Sequence, residues 1–424
     1  MQRRITGLTA AAAALGMTVT LAGCGSSGDS DEVTLKLVAA NYGDSSANSS
    51  QKYWDGLVAD FEAKNPKIKV DVDVYSWSDV DAKVAEMVKD DKAPDLAQIG
   101  AYADYAAQDK LYAADDVLSI RTQSDFLPQL TDAGEYRRNQ YGMPFGSSTR
   151  LLFFNKDLFA KAGISDAPES WTELAADAAR LKSQGHAKYP FALPLGREEA
   201  QAEAMIWMLA GGGGYTDRSG TYRINSQENI KTFEWLRDDL VGADLTGPVA
   251  PGKLNRQDAF DAFAKGEVGM LSGHPALLKQ AKEAGLNFDT APMPGINGNA
   301  KGTLGVADWM MAFKQNGHQK EIGTFLDFVY EQKNVVDWSE RYGIPPVTVS
   351  AAEAIGADPK QKHLKEFLDE LPTSEFYPVG ETSWARVNAD IKQQIGKTVE
   401  KGGNPRSVLT ELQNEAVAAQ SEEE

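Results

Sequence analysis

Apolar and polar positions change period several times along the chain. In "VTLKL", Val33, Leu35 and Leu37 alternate with polar residues, the two-residue period of a half-buried strand. Trp54, Leu57, Val58 and Phe61 then recur at helical spacing. "IKVDVDVYS" (Ile68–Ser76) returns to alternation, with Ile68, Val70, Val72 and Val74 on one face and Asp71 and Asp73 on the wet one. Val80, Val84, Met87 and Val88 form a second helical stripe, and "APDLAQIG" (Ala93–Gly100) reads as a third strand. Strand, helix, strand, helix, strand predicts parallel crossover units with the helices laid against the sheet.

A second such region follows Tyr141. "TRLLFFN" (Thr149–Asn155) is strand-like, and Ser170 with Glu173 has the spacing of a capping box before Trp171, Leu174, Ala178 and Leu181. "YPFALPL" (Tyr189–Leu195) is a strand punctuated by proline. Helices are expected over about 198–210 and 226–240, short strands at Val268–Gly273 and Phe288–Gly295, and mostly helix from Ser350 onward. Trp54, Trp171, Trp207, Trp235 and Trp338 fall on helical stripes and are assigned to packing. There is no internal repeat. About 400 residues of such pattern exceed one ordinary core, so two lobes are expected.

The N-terminus departs from this pattern. Arg3 and Arg4 precede "ITGLTAAAAALGMTVTLA" (residues 5–22), which carries no charge; a short basic start followed by an apolar stretch describes a secretory signal peptide. "LAGC" resembles a bacterial lipobox. The resemblance implies cleavage after residue 23 and a lipid on Cys24, the one cysteine of the chain. More than one acyl chain is needed for stable anchoring. "SSGDSDE" then reads as a tether, placed at residues 24–32. Loss of residues 1–23 removes Arg3 and Arg4 and no acid, taking the net charge from −18 to −20. Such a chain is not expected to bind nucleic acid, and a disulfide scaffold is excluded.

Chemistry-bearing motifs mostly fail on inspection. "GGGG" (Gly211–Gly214) lacks the Lys-Ser/Thr of a phosphate loop. "DVDVYSWSD" lacks the glycine and glutamate of a calcium loop. His186, His274, His318 and His363 have no metal-ligand spacing, and no G-x-S-x-G occurs. No catalysis, metal or cofactor is expected. What remains is a set of aromatics in polar stretches after strand ends. These are Asn41 and Tyr42, Trp77, Tyr102 with Tyr105, "FGSSTR" with Ser147 and Arg150, "ADW" with Asp308 and Trp309, and "ETSWAR" with Glu381 and Trp384. Ligands of open parallel sheets bind beyond the carboxyl ends of the strands. Rings beside amides, carboxylates and arginine suit a sugar, whose C–H face stacks while its hydroxyls are bonded.

The blocks "YGMPFGSSTRLLFFNKDLFAKAGI", "PESWTEL", "FAKGEVGMLSGH", "APMPG", "GVADWMMAFK" and "EIGTFLDFV" follow one another along the chain. In that order they resemble the family-1, carbohydrate-type solute-binding proteins of bacterial ABC importers. The resemblance implies an α/β, two-lobed, Venus-flytrap fold, each lobe a largely parallel sheet flanked by helices, joined by a hinge of several strands. It places lobe one at residues 33–145 plus 305–345 and lobe two at 146–304 plus 346–424, with crossings near Phe145, Gly305 and Ile344–Pro346. It sets Asn41, Tyr42, the Gly100–Tyr102 turn, Ser147, Arg197, Glu198, His274 and Trp384 on the cleft. It implies capture of a sugar by a monomer on the outer face of the cytoplasmic membrane, for delivery to a permease driven by a cytoplasmic ATPase. Two other readings stand beside it. One keeps the fold with a polyamine or peptide ligand drawn to Asp104, Glu198, Asp308 and Glu381; the other is a secreted glycan hydrolase.

Overall fold

The computed structural model describes residues 32–43, 48–77, 79–184, 187–217 and 219–422. The expected signal peptide, Cys24, most of the expected tether and His186 lie outside them. Among the described residues no helix is long and apolar enough to cross a membrane.

Strand β1 (Val33–Ala40) lies between β2 (Ile68–Tyr75) and β3 (Leu96–Ile99), parallel to both. Its central place buries both faces, so Leu35, Leu37, Val38, Ala39 and Ala40 are all sealed. The edge strand β2 keeps its alternation, and Asp71 and Asp73 face water as expected. Helix α1 (Ser50–Lys64) buries Trp54, Leu57, Val58 and Phe61 on the predicted stripe, and α2 (Val80–Lys89) buries Val80, Val84 and Val88.

The sheet continues through β10 (Leu304–Phe313), antiparallel to β3. Three more strands pair with β10: β4 (Leu111–Tyr112), β5 (Met143–Ser148) and β11 (Glu375–Phe376). A second sheet has the order β9 (Phe288–Ala291), β6 (Leu151–Asn155), β8 (Val268–Gly273), β7 (Tyr189–Ala192). Beside it stand α3 (Trp171–Ser183), α4 (Ala200–Ala210) and α5 (Pro275–Glu283). The capping box closes as its spacing predicts: Ser170 Oγ accepts from the Glu173 N–H at 3.3 Å and the Glu173 carboxylate accepts from the Ser170 N–H at 3.3 Å.

Each sheet has its own core. Trp54, Phe61, Met143, Met310 and Trp338, the last on α6 (Gln332–Tyr342), gather in the first, whereas Leu152, Trp171, Trp207, Leu304, Trp384 and Leu412 gather in the second. Strand β10 therefore begins in one body and ends in the other, and β5 runs into β6 in the same way. Ser147 Oγ, buried at the first crossing, donates to the Pro345 carbonyl at 3.1 Å and so ties two crossing segments together. The segment after Pro346 differs from expectation. Val347 and Ala351, the latter on α7 (Val349–Ala357), pack in the first core, while Phe367 packs in the second. The reason is local: Asp125 accepts from the Ser350 N–H at 2.9 Å and its Oγ at 2.5 Å, pinning the start of α7 to the first body. The C-terminal helices, with α8 (Trp384–Gln394), join the second core.

Candidate functional site

The ladder of β10 shifts register between Asp308 and Trp309. Such a bulge re-aims neighbouring side chains. Trp309 packs into the first body, 1 % exposed. Asp308 lines a cavity of about 340 Å³ between the two bodies. Tyr42, in the loop after β1, donates its hydroxyl to Asp308 Oδ2 at 2.6 Å and accepts from Gln98 Nε2 at 2.9 Å. Burial pushes the Asp308 carboxyl up to about 6; the Tyr42 hydrogen bond opposes the shift, and the nearby negative charge of Asp81 adds to it. Asp81, on α2, lines the same cavity. Burial raises its pKa too, against a hydrogen bond from the Gly100 N–H at 3.2 Å.

The opposite wall comes from the second body. Tyr377 stacks on Trp384, centroids 5.3 Å apart and planes at 24°. Trp384 and Asn388 stand four residues apart on α8, so they share a face. All three residues line the cavity. Tyr377 Oη lies beside the Gln201 amide. Asn388 Oδ1 is buried and bonded to nothing among the described residues; folded proteins pair nearly all such atoms unless water or a ligand completes them. Tyr377 and Glu381 also line a larger neighbouring cavity of about 810 Å³, closed by Gln129–Glu135 from the first body and Gly212–Thr216 from the second.

Behind this wall lies a network of charges. Arg150, buried, holds Glu199 at 3.0 Å. Arg256 holds Glu199 at 2.7 Å and Glu198 at 2.5 Å. Glu203, on α4, accepts from Trp207 Nε1 at 2.7 Å and from the Ser272 hydroxyl. Burial raises the Glu203 carboxyl to about 7, although both hydrogen bonds and Arg150 pull it down. His274 caps α5, its Nδ1 accepting from the Ala276 N–H at 3.3 Å. Burial, with Arg150 and Arg256 nearby, holds its pKa well below the ordinary histidine value, so the ring is neutral.

The expected site residues separate into groups. Asp308, Glu381 and Trp384 meet at the cavity. Tyr42 supports Asp308 from the side, and Trp77 stands edge-on to Tyr42 at 5.3 Å, 38 % exposed. The other expected residues stand elsewhere. Tyr102 and Trp309 form an edge-to-face pair inside the first body, centroids 5.4 Å apart. The Tyr102 hydroxyl is spent on the Ala133 and Glu135 carbonyls at 2.8 and 2.9 Å. Ser147 is consumed by the crossing. Asn41 Oδ1 accepts from the Ser50 N–H at 3.0 Å, which anchors the loop to α1. Arg197 is exposed, while Glu198, Arg150 and His274 belong to the charged network. Among the described residues no cluster suits a metal ion.

Several contributors were missed: Asp81, Glu203, Tyr377 and Asn388. Glu203 carried a signal, as one acid in the otherwise apolar run "AEAMIWMLA". Asn388 carried another, four residues beyond Trp384. Tyr377 did not, because the short strand before it has no periodicity.

Two α/β bodies that share strands and line one cavity define a two-lobed ligand-capturing protein. A model of the family described as bacterial extracellular solute-binding protein matches residues 45–336. The chain belongs to that family, the solute-binding proteins of ABC importers. A binding protein of Brucella abortus (strain 2308) is 27% identical over 398 residues, covering 93% of this chain and 94% of its own. The cyclic alpha-maltosyl-1,6-maltose binding protein of Arthrobacter globiformis has a TM-score of 0.78 at 18% identity, covering 92% of this chain and 99% of that one. UgpB of Mycobacterium tuberculosis, in complex with glycerophosphocholine, has a TM-score of 0.74 at 19% identity, covering 92% and 98%. The fold is thus the two-lobed periplasmic-binding-protein type.

Proposed function

We propose that the protein captures a carbohydrate in the interlobe cavity and hands it to a membrane permease for import. The observation that carries this reading is the Tyr377–Trp384 stack facing Asp308 across one cavity. A flat C–H face can lie against the rings while hydroxyls donate to Asp308, Asn388 and Tyr377. Lobe one is taken as residues 33–145 plus 305–345 and lobe two as 146–304 plus 346–424, with Val347 and Ala351 held on the lobe-one side of the hinge. A sugar that touches both walls stabilises the closed arrangement by its differential affinity. Binding needs no chemistry, so the protein acts as a monomeric receptor rather than an enzyme.

Cys24 is the proposed lipid anchor on the outer face of the membrane. Cys24→Ser should release the protein from membranes and leave ligand binding intact. The test of the ligand class is calorimetry of the soluble form starting at Gly25 against mono-, di- and trisaccharides. Saturable one-to-one binding of one of them supports the reading. A full panel without heat counts against it.

A further inference from the structure

We infer that the carbohydrate this cavity takes carries a protonated amine, and that phosphate esters are excluded. The inference rests on the carbohydrate reading above and narrows it.

The sign of the charge comes first. The described residues lining the 340 Å³ cavity include Asp81, Asp104, Asp308 and Glu381, and no lysine, arginine or histidine. Asp308 spends one carboxylate oxygen on Tyr42, and its Oδ1 bonds nothing among the described residues. Its other close charge is Asp81, of the same sign. Asp308 is half-buried and Asp81 exposed; a half-buried carboxylate facing a like charge without a counter-charge is costly, and a cation between the two removes the cost. An incoming phosphate would add a third negative group to an already uncompensated pair.

The polar groups point the same way. Asn388 Oδ1 lines the cavity as a buried acceptor with no donor. Glu381, whose carboxylate also lines the cavity, is another group that can only accept when ionised. With the Asp308 oxygen these make an acceptor-rich surface. An ammonium group supplies three donors and no acceptor. The Tyr377 and Trp384 faces add the attraction of an aromatic ring for a cation. The guanidinium groups around the cavity are already engaged, since Arg150 and Arg256 hold glutamates, Arg223 stands 3.5 Å from Asp217 and Arg386 2.6 Å from Glu422. They offer no fork for a phosphate.

The experiment is a calorimetric titration of the form starting at Gly25 with three probes at neutral pH. Chitobiose carries amines, cellobiose is its neutral β-1,4 counterpart, and glucose 6-phosphate carries the anion. Chitobiose should bind at least about tenfold tighter than cellobiose, with the preference shrinking as salt rises to about 0.5 M. Glucose 6-phosphate should give no heat. Asp308→Asn keeps an acceptor for Tyr42 and removes the charge, so the chitobiose-to-cellobiose ratio should fall toward one. Asp81→Asn should lower the same ratio by an independent route. Cellobiose binding as tightly as chitobiose overturns the inference and leaves the carbohydrate reading standing. Binding of glucose 6-phosphate overturns the anion exclusion. Silence from all three probes while another sugar of the mono-, di- and trisaccharide panel binds overturns the inference alone; silence of the whole panel overturns it together with the reading beneath it.

Discussion

Two aromatic pairs in this molecule are nearly equal in separation and opposite in placement. Tyr102 and Trp309 sit 5.4 Å apart in the first body, and Tyr377 and Trp384 sit 5.3 Å apart in the second. The first pair is sealed: Tyr102 is 0 % and Trp309 1 % exposed. The second lines the cavity. Both tryptophans stand beside acids and turn residues in the sequence, so flanking polarity does not separate them. Backbone geometry does. Trp309 and Asp308 are neighbours on one strand, and a strand sends neighbours to opposite faces. Once Asp308 lines the cavity, Trp309 belongs to the core behind it. Trp384 begins a helix whose cavity face also carries Asn388.

Four substitutions would break or sharpen this contrast. Trp309→Ala should have the largest effect, a loss of about 3–5 kcal/mol of stability by urea unfolding, as for a large ring removed from a core. A stable Trp309→Ala protein with weakened ligand binding would reverse the assignment of the two pairs.

Glu203→Gln probes the support behind the second pair. In the folded state Glu203 keeps its proton up to about pH 7, while the unfolded chain releases it near the ordinary value of 4.5. Folding therefore takes up a proton between those values. The stability this group contributes is full below the lower value and is lost as pH rises through the upper one. Glutamine cannot ionise, so wild type should lose on the order of 3 kcal/mol relative to Glu203→Gln between pH of about 4 and about 8. Parallel stability curves for the two proteins would show that the folded Glu203 carboxyl titrates where the unfolded one does.

Trp384→Ala should weaken ligand binding by about 1–3 kcal/mol, the range for a lost stacking ring. Some stability is lost as well, because the ring also packs on Tyr215 at 5.4 Å. Trp77→Ala should be the mildest. Its exposed ring leans on Tyr42, so stability should change by no more than about 0.5 kcal/mol. An affinity change, read by calorimetry, would show that the ligand extends to the first-body rim.

Periodicity made the first body legible. The alternation of β2, the stripes of α1 and α2, and Trp54 and Trp338 assigned to packing are all visible in the chain, because burial imposes those spacings directly. Strand β10 was not. "LGVADWMMAF" (Leu304–Phe313) is an inner strand, paired with β3 and β5, that passes from one body to the other, so apolar residues fall on both its faces and no clean alternation shows. That is why Trp309 reads as a loop residue and Asp308 as its equal. The second wall was half legible. Trp384 was recognisable from its polar neighbours, whereas Tyr377 reaches the cavity through a turn that no local pattern marks. The network around Glu203 forms only when α4 meets β8, and that meeting is written in no single stretch.

The account turns on one claim: a hydroxyl-rich solute lies between Asp308 and the Tyr377–Trp384 stack. The most direct test is one calorimetric series with the tightest-binding sugar against wild type, Trp384→Ala and a conservative Trp309→Phe control. Trp384→Ala should lose at least about fivefold in affinity while Trp309→Phe binds like wild type. Equal affinity in all three proteins, or a loss confined to Trp309→Phe, would place the solute elsewhere and contradict the account.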